Sequence, residues 1–231
     1  MKLDGFSQKG SCHPENQDAF RCIKGENGQF AMAVSDGLGS KPQSALGSAA
    51  FCRSVERLFC AERMPQRKAL PAALHGMWLE ELCGAEPDEC SATGLFALWK
   101  DGVFTLGALG DGIAAARMAD GQTLVLFDDK EEYFLNETDC LGPEHCAEKW
   151  RVLQTEQRPE TVLLCTDGIE ICPGTEQTIA RFVREMAQSY VGVDAEAVRA
   201  DVRVWVSDWP GADDKTVAYC LNEPAGQAAE E

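Results

Sequence analysis

The feature that most constrains this chain is a set of five short acidic motifs spread over almost its whole length. In chain order they are Asn16-Gln17-Asp18-Ala19, Ser35-Asp36-Gly37-Leu38-Gly39, Gly110-Asp111-Gly112, Thr166-Asp167-Gly168-Ile169-Glu170 and Asp213-Asp214-Lys215-Thr216. Most of them follow a short apolar run with the length of a β-strand, so each carboxylate is predicted to lie where a strand ends. Strand ends can meet at one edge of a sheet, and the motifs therefore favour a fold in which they converge on one cleft.

Any one of these motifs is first of all a turn signal, because Asp and Gly both favour turn conformations. Their shared chemistry gives a second interpretation. Hard divalent cations such as Mg²⁺ and Mn²⁺ bind carboxylate, carbonyl and water oxygens, and they usually keep several of their waters. Several Asp side chains together with a bare glycine carbonyl would supply such ligands, so the motifs predict a divalent-metal site.

Hydrophobic periodicity predicts groups of strands that alternate with pairs of helices. Strands are predicted at residues 2–8, 18–23, 29–35, 92–100, 103–109, 113–118, 123–127, 150–155, 161–165 and 216–221. Helices are predicted at 42–63, 68–83, 176–190 and 195–206, and a loop at 128–148. Helices that arrive in pairs between antiparallel strand groups are typical of packed sheets with helices outside, which is an α+β fold.

The order and spacing of the motifs resemble the metal-dependent protein phosphatase family, the protein phosphatase 2C group, and especially its short bacterial branch. The likeness runs from about Gly10 to Cys220 and includes Cys90-Ser91-Ala92-Thr93-Gly94, which is similar to the family's Ser-Gly-x-Thr strand start. Asn136-Glu137-Thr138 stands where the bacterial branch has a similar triplet. The resemblance implies a four-layer α/β/β/α sandwich of two antiparallel sheets flanked by helices, with the metal site at one edge.

The resemblance also implies a role for each acidic motif. Asp36 matches the carboxylate that bridges two metal ions, and Gly37 matches the residue whose carbonyl binds one of them. Asp167 and Asp213 match the carboxylates that complete the shell of the second ion, with Thr166 orienting Asp167. Whether Asp213 or the residue after it is the ligand stays open.

Two further carboxylates complete the implied site. Asp18 matches an acidic residue that reaches a metal ion through water, and Asp111 matches the residue associated with a third ion in bacterial members. The sequence Gly110-Asp111-Gly112 also makes a good hairpin turn. The implied cofactors are two Mn²⁺ or Mg²⁺ ions per active site, with the third at Asp111. The residues that carry the chemistry are then Asp36, Asp18 and Asp167.

Three residues depart from the family pattern. His13 stands four residues before Gln17, where many members have an arginine that binds the substrate phosphate. A histidine can donate hydrogen bonds but lacks the bidentate fork, and an ordinary loop residue beside Pro14 is the alternative interpretation. Gln17 replaces a common glutamate. Leu38 occupies the position of a histidine proposed as general acid in eukaryotic members, so the sequence identifies no general acid.

The net charge of the chain limits the classes of partner that it is expected to bind. It has 38 acidic and 21 basic side chains, which give a formal net charge of −17. Such a charge repels nucleic-acid backbones and anionic lipid surfaces, so neither nucleic acid nor a membrane is an expected partner. It also repels a phosphorylated substrate, and local cations are needed to reverse the potential in the cleft.

Length and patterning favour one catalytic domain over residues 1–222. The stretch 223–231, made of Pro, Ala, Gly, Gln and Glu, is predicted to be a disordered acidic tail. The longest apolar runs are strand-sized and the first residues lack a signal-peptide pattern, so a cytoplasmic protein is predicted.

The eleven cysteines include no Cys-x-x-Cys pair. A disulfide framework is typical of small secreted domains, whereas this chain is not small and shows no signal-peptide pattern. Cys22, Cys52, Cys165 and Cys220 fall in apolar runs, where a free cysteine packs as a small hydrophobe. Reduced thiols are therefore expected, and a zinc site is not.

The sequence thus predicts a metal-dependent phosphomonoester hydrolase. The resemblance implies a protein serine/threonine phosphatase that opposes a bacterial Ser/Thr kinase and uses a hydroxide held between two metal ions for in-line attack on phosphorus. Its expected partners are phosphoserine and phosphothreonine proteins and such a kinase. The alternative is a non-catalytic phosphatase-like domain that binds phosphoproteins or a kinase. A cysteine-based redox or zinc-binding protein is a third hypothesis, which paired cysteines would have favoured.

Overall fold

Two five-stranded antiparallel sheets form the framework of the computed structural model, which describes residues 1–128 and 138–222. The strands are β1 Lys2–Gln8, β2 Ala19–Lys24, β3 Phe30–Ser35, β4 Gly94–Lys100, β5 Val103–Leu109, β6 Ile113–Met118, β7 Thr123–Leu126, β8 Arg151–Thr155, β9 Pro159–Cys165 and β10 Lys215–Leu221. The helices are α1 Ser44–Cys60, α2 Leu70–Glu81, α3 Glu176–Ser189 and α4 Ala195–Asp208. One sheet has the order β1-β10-β9-β6-β7, and the other has the order β2-β3-β4-β5-β8.

Three buried apolar clusters show how the layers pack. The middle cluster joins the two sheets and includes Met32 and Leu164. A second cluster packs α1 and α2, including Trp78, on the sheet that contains β3. A third packs α3 and α4, including Val202, on the sheet that contains β10. The predicted α+β fold, a four-layer sandwich of two antiparallel sheets flanked by helices, is confirmed.

The sequence of β3 explains how one strand serves two layers. All six residues of this strand are buried, and successive side chains point to opposite faces of a sheet. Met32 and Val34 face the other sheet, whereas Ala31 and Ala33 belong to the cluster beneath α1. Alanine is small enough to let the helix lie close to the strand, so the end of β3 lies near the start of α1.

The helix pair α1 and α2 is joined through Gly47. Its carbonyl oxygen accepts a hydrogen bond of 3.0 Å from the indole nitrogen of Trp78 in α2. The short helical turn Pro87–Cys90, which leads into β4, lies against the same glycine. Pro71 lies in the first turn of α2, where its missing N–H removes no helical hydrogen bond.

The boundaries differ from the predicted ones at a few strand and helix ends. Strand β2 begins at Ala19 and leaves out Asp18, because the N–H of Asp18 donates to the side chain of Asn16 instead of to a strand. Helix α1 begins at Ser44 and ends at Cys60, inside the predicted range 42–63. Of the predicted loop 128–148, residues 138–148 are described and include a bridge between Leu141 and Ala92. Two predictions, the triplet residues Asn136 and Glu137 and the tail 223–231, lie outside the described residues.

Two observations concern the apolar segments and the thiols. Within the described ranges, no helix combines the length and the apolar character that crossing a membrane requires. All eleven cysteines are free, and Cys52, Cys165 and Cys220 are buried. Burial raises the pKa of both the Cys165 and the Cys220 thiols to about 12. These thiols therefore stay protonated at neutral pH and pack as apolar groups.

Replacing Gly47 with alanine is expected to destabilise the fold. A Cβ at this position would lie 1.6 Å from the carbonyl oxygen of Cys90. Helix α1 would have to move away, at a cost of about 1–3 kcal/mol in the free energy of unfolding. Gly76→Ala in α2 is the matched control, because a Cβ there meets nothing within 4 Å and alanine is favoured inside a helix by about 0.5–1 kcal/mol. Urea unfolding measures both variants, and a Gly47→Ala protein as stable as wild type would contradict the contact.

Candidate active site

The peptide group of Asp36 is held from both sides by Thr93. The hydroxyl of Thr93 accepts a hydrogen bond of 2.9 Å from the Asp36 N–H, and the N–H of Thr93 donates to the Asp36 carbonyl oxygen at 2.8 Å. The hydroxyl of Ser35 donates to the Thr93 carbonyl oxygen at 2.6 Å. These contacts assign a function to the Ser91-Ala92-Thr93-Gly94 motif: it fixes the backbone of the first acidic loop at the end of β3.

Gly37 is buried where this loop meets the start of α1. Its N–H donates to the carbonyl oxygen of Gln17 at 3.1 Å, and it forms a bridge with Ala92. A Cβ at Gly37 would lie 2.6 Å from backbone atoms of Ser44. Glycine is therefore required here for packing against the helix, and the same absence of a side chain leaves the carbonyl approachable.

The carboxylate of Asp18 lies beside the Thr166 motif. Its Oδ2 accepts a hydrogen bond of 2.8 Å from the Thr166 hydroxyl, whose oxygen in turn accepts 3.0 Å from the N–H of Thr216. Thr166 was expected to orient Asp167, but its hydroxyl is directed to Asp18 because the end of β9 faces the start of β2. The Asp18 side chain also makes a hydrogen-bonding contact with the carboxyl group of Asp36, and its other oxygen, Oδ1, is buried without an N–H or hydroxyl donor among the described residues.

Burial and neighbouring charge raise the pKa values of two of these carboxyl groups, and Asp36 keeps its proton at neutral pH. Burial is the main cause that raises the pKa of Asp36 to about 10. The negative charges of Asp18, Asp167 and Asp111 act in the same direction. Burial also raises the pKa of Asp18 to about 7, although hydrogen bonds from two threonines oppose the rise. The structure thus brings four of the predicted carboxyl groups into one electrostatic cluster.

The last motif contains one buried and one exposed carboxylate. Asp214 is buried, and its two oxygens accept hydrogen bonds of 2.7 Å from the backbone N–H groups of Gly10 and Gln17. Asp213 is exposed, and one of its oxygens accepts a bond of 2.9 Å from the N–H of the next residue. Because both oxygens of Asp214 are engaged by backbone, Asp213 is the residue of this pair whose carboxylate is accessible to an ion.

A cavity of about 730 Å³ opens between Asp111 and Asp167. Asp111 follows β5 in the tight turn to β6, and its Oδ2 accepts a hydrogen bond of 3.1 Å from the hydroxyl of Thr138. The charged residues that line this cavity are all acidic, and they are Asp111, Asp128, Asp167, Glu170 and Glu176. An anionic substrate would meet repulsion here unless cations were present.

His13 lies against the loop that carries Asp36. Its half-buried ring packs against Gly39, where a Cβ would lie 2.7 Å from the His13 Cε1 atom. The structure therefore brings His13 to the loop that carries Asp36 and Gly37. Leu38, which lies between Gly37 and Gly39, is half-buried, and its N–H donates to the carbonyl oxygen of Ser91 at 3.0 Å.

The donor set fits hard divalent cations. Added positive charge would reduce the repulsion among the clustered carboxylates and favour their ionised forms. It would also interact favourably with the buried Oδ1 of Asp18, which has no N–H or hydroxyl donor among the described residues. No group of three or more His, Cys, Asp or Glu side chains within 1–128 and 138–222 is arranged to hold an ion by itself. An ion at this site would therefore also use backbone carbonyl oxygen, as offered by Gly37, and water, which is the ligand mixture that Mg²⁺ and Mn²⁺ prefer.

Several contacts at this site have no simple sequence signal. Three sets of hydrogen bonds join residues that are far apart in the chain. They are the two bonds between Thr93 and the peptide group of Asp36, the bond from Thr166 to Asp18, and the backbone bonds to Asp214. Only the presence of Thr93 and Thr166 inside recognisable motifs could have indicated them.

A comparison with protein-family models matches most of the chain. The family model described as protein phosphatase 2C matches residues 10–207. A comparison with curated protein sequences gave no match.

Bacterial phosphatases are among the solved structures with the same architecture. The serine/threonine phosphatase Stp1 from Staphylococcus aureus is 14% identical, with a TM-score of 0.66 and coverage of 96% of this chain and 95% of that one. A bacterial serine phosphatase is 16% identical, with a TM-score of 0.64 and coverage of 95% and 96%. The catalytic domain of the serine threonine protein phosphatase PstP, in complex with two manganese ions, is 18% identical, with a TM-score of 0.62 and coverage of 96% and 98%.

At these identities the structural similarity establishes the fold, and the family model establishes descent over most of the chain. The acidic motifs identified in the sequence fall inside the matched range, except for the last one. The chain belongs to the protein phosphatase 2C family.

Proposed function

We propose that the protein is a Mn²⁺- or Mg²⁺-dependent phosphatase that removes phosphate from phosphoserine and phosphothreonine in proteins. The observation that carries the proposal is the half-buried carboxyl pair Asp18 and Asp36, whose pKa values are raised by loss of hydration and, for Asp36, also by the charges of Asp18, Asp167 and Asp111. Family membership supports the reaction. The manganese ions named for PstP and the magnesium named for RsbX support the choice of metal.

In this proposal the acidic motifs hold two ions. Asp36, the carbonyl of Gly37, Asp167 and Asp213 would be direct ligands, and Asp18 would act through water. Asp111 would belong to a third ion. When bound, such ions lower the pKa of a coordinated water and neutralise charge on the phosphoryl oxygens.

The protein's own residues prepare the site before an ion or substrate arrives. Thr93 fixes the backbone of Asp36, and Thr166 fixes one oxygen of Asp18, so neither carboxylate has to be ordered at the moment of binding. At neutral pH without ions, Asp36 keeps a proton because its pKa is raised to about 10. That proton leaves when positive charge enters the cluster, so ion binding and proton release are coupled.

Substrate recognition involves the residues that lie against the Asp36 loop. His13 lies against Gly39, where its ring can donate a hydrogen bond to a phosphoryl oxygen. Because Leu38 cannot donate a proton, protonation of the leaving group falls to water or to another residue. A Ser/Thr kinase that phosphorylates the same substrates is the proposed physiological counterpart. Phosphopeptide binding without turnover would instead favour the non-catalytic phosphatase-like domain.

Asp36→Asn is expected to abolish Mn²⁺-dependent hydrolysis of an aryl phosphate, with a loss of about 100-fold or more, because the carboxylate shared by two ions is removed. Asp101→Asn is the matched control. Asp101 lies in the exposed β4–β5 turn at a positive φ of 51° that asparagine also tolerates. An Asp36→Asn protein with a tenth of wild-type activity, or activity that resists a chelator, would count against the proposal.

The same variant has a second readout that needs no activity. An acidic group whose folded pKa lies above its unfolded value destabilises the fold as pH rises, so ion-free wild type should lose stability between pH 5 and pH 9. Asp36→Asn should flatten this slope. Mn²⁺ should raise the Tm of wild type at pH 8 and leave that of Asp36→Asn nearly unchanged, as measured by thermal unfolding.

Asp213→Ala and Asp214→Ala are expected to act on different properties. Asp213→Ala should weaken Mn²⁺ binding, measured by calorimetry, and change the free energy of unfolding of the ion-free protein little, because its side chain is exposed. Asp214→Ala leaves two backbone N–H groups without acceptors and should destabilise the ion-free protein by at least about 2 kcal/mol. The reverse assignment would mean that Asp214 is the ligand.

His13→Arg is expected to lower KM for a phosphopeptide about threefold to tenfold and to change kcat less. Arginine keeps its positive charge and offers a phosphoryl group two parallel donors, which an imidazole ring lacks. Steady-state kinetics at pH 6, 7 and 8 test this, with His13→Ala measured alongside. Equal KM values for His13→Ala and wild type at all three pH values would make His13 a loop residue only.

A further inference from the structure

The loop that follows β1 borders the carboxyl cluster from two sides. On one side the N–H of Ser11 donates to the carbonyl oxygen of Ala212, at 2.7 Å, in the loop that carries the last acidic motif. On the other side the ring of His13 packs against Gly39, in the loop that carries the second motif. Residues 9–13 therefore connect two of the acidic loops at the rim of the site.

The ammonium group of Lys9 is held over this loop. Its Nζ donates to the carbonyl oxygens of Gly10, at 2.8 Å, and of His13, at 2.7 Å. A lysine ammonium has three N–H donors, and the side chain is exposed, so a donor remains for a ligand. Because the two carbonyl bonds already restrict the side chain, binding through it costs less conformational entropy than for a free surface lysine.

Two other lysines near the acidic loops are less available to bind an anionic ligand. Lys41 pairs with Asp88 at 2.8 Å. Lys215 is buried, and its Nζ donates to the carbonyl oxygen of Gly211 at 2.8 Å. Lys9 differs from Lys215 because its side chain is exposed. It differs from Lys41 because its ammonium bonds neutral carbonyl groups, so within the part of the chain that the structure describes its positive charge is not neutralised by a carboxylate at hydrogen-bond distance.

A phosphate dianion that approaches this site has to enter a negative field. The protein carries a net charge of −17, and the adjoining cavity is lined by carboxylates. We propose that the Lys9 ammonium binds the phosphoryl group of the substrate at the rim of the site, an inference that rests on the proposed function. Lys9 would supply the fixed positive charge of loop 9–13, and His13 would supply a second donor from the same loop.

Binding of inorganic phosphate to the Mn²⁺-loaded protein, measured by calorimetry, tests this directly. Lys9→Gln is expected to weaken phosphate binding about threefold to tenfold and to raise KM for an aryl phosphate by the same factor. Its kcat should stay within about twofold, and its Mn²⁺ affinity should not change, because Lys9 is placed on the phosphate and not on the ions. Lys9→Arg should keep most of the phosphate affinity.

Lys24→Gln is the matched control, because Lys24 is an exposed lysine at the end of β2 that lies away from Asp18. An unchanged phosphate affinity in Lys9→Gln would overturn the inference. The inference would also be overturned if Lys9→Gln lost phosphate affinity together with a lower Tm and Lys9→Arg did not restore that affinity. Lys9 would then only stabilise the conformation of its loop. If wild type hydrolyses no phosphomonoester, the proposed function fails, and the calorimetry still decides whether Lys9 binds phosphate.

Discussion

Repulsion among carboxyl groups at one edge of the sandwich is the constraint around which the rest of this structure is arranged. The interior between the sheets is apolar, and the acidic residues of this edge lie outside it, where strands end. Four of them, Asp18, Asp36, Asp111 and Asp167, are close enough to influence the same pKa. Such a cluster is unfavourable by itself, and it persists because hydrogen bonds from Thr93 and Thr166 hold its members in place.

The same edge depends on contacts between distant parts of the chain. Asp214 accepts hydrogen bonds from Gly10 and Gln17, 204 and 197 residues away in sequence. These bonds place the loop that carries Lys9 and His13 next to the final acidic motif. A buried carboxylate that is fully satisfied by backbone thus has a structural function, while the exposed Asp213 beside it is free of that function. These two adjacent carboxylates, which precede β10, therefore have different surroundings, one buried against backbone N–H groups and the other exposed.

The sequence predicted the fold well because the relevant signals are local. The apolar run of β3 and the helical period of α1 each identify their element, and the family resemblance supplied the layer order that the structure and the comparisons confirm. The roles of the site residues stay predictions, although Asp18, Asp36, Asp111 and Asp167 do lie together. Side-chain direction at strand ends was not predictable: the Thr166 hydroxyl donates to Asp18, a contact that the sequence did not indicate. That direction depends on which strand lies opposite, which no short motif records.

The pairing of the first and last strands has a consequence for how the protein is made. Strand β10 lies between β1 and β9, with Leu221 opposite Lys2, so the sheet is incomplete until the last strand has been synthesised. A ribosome-bound chain can carry Asp18 and Asp36 long before the residues that anchor loop 9–13 exist. Pairing of such distant segments is slow and comes late in folding. The sheet that carries this edge is therefore complete only after the last strand has been translated, and a half-made chain does not contain the arrangement of carboxyl groups described here.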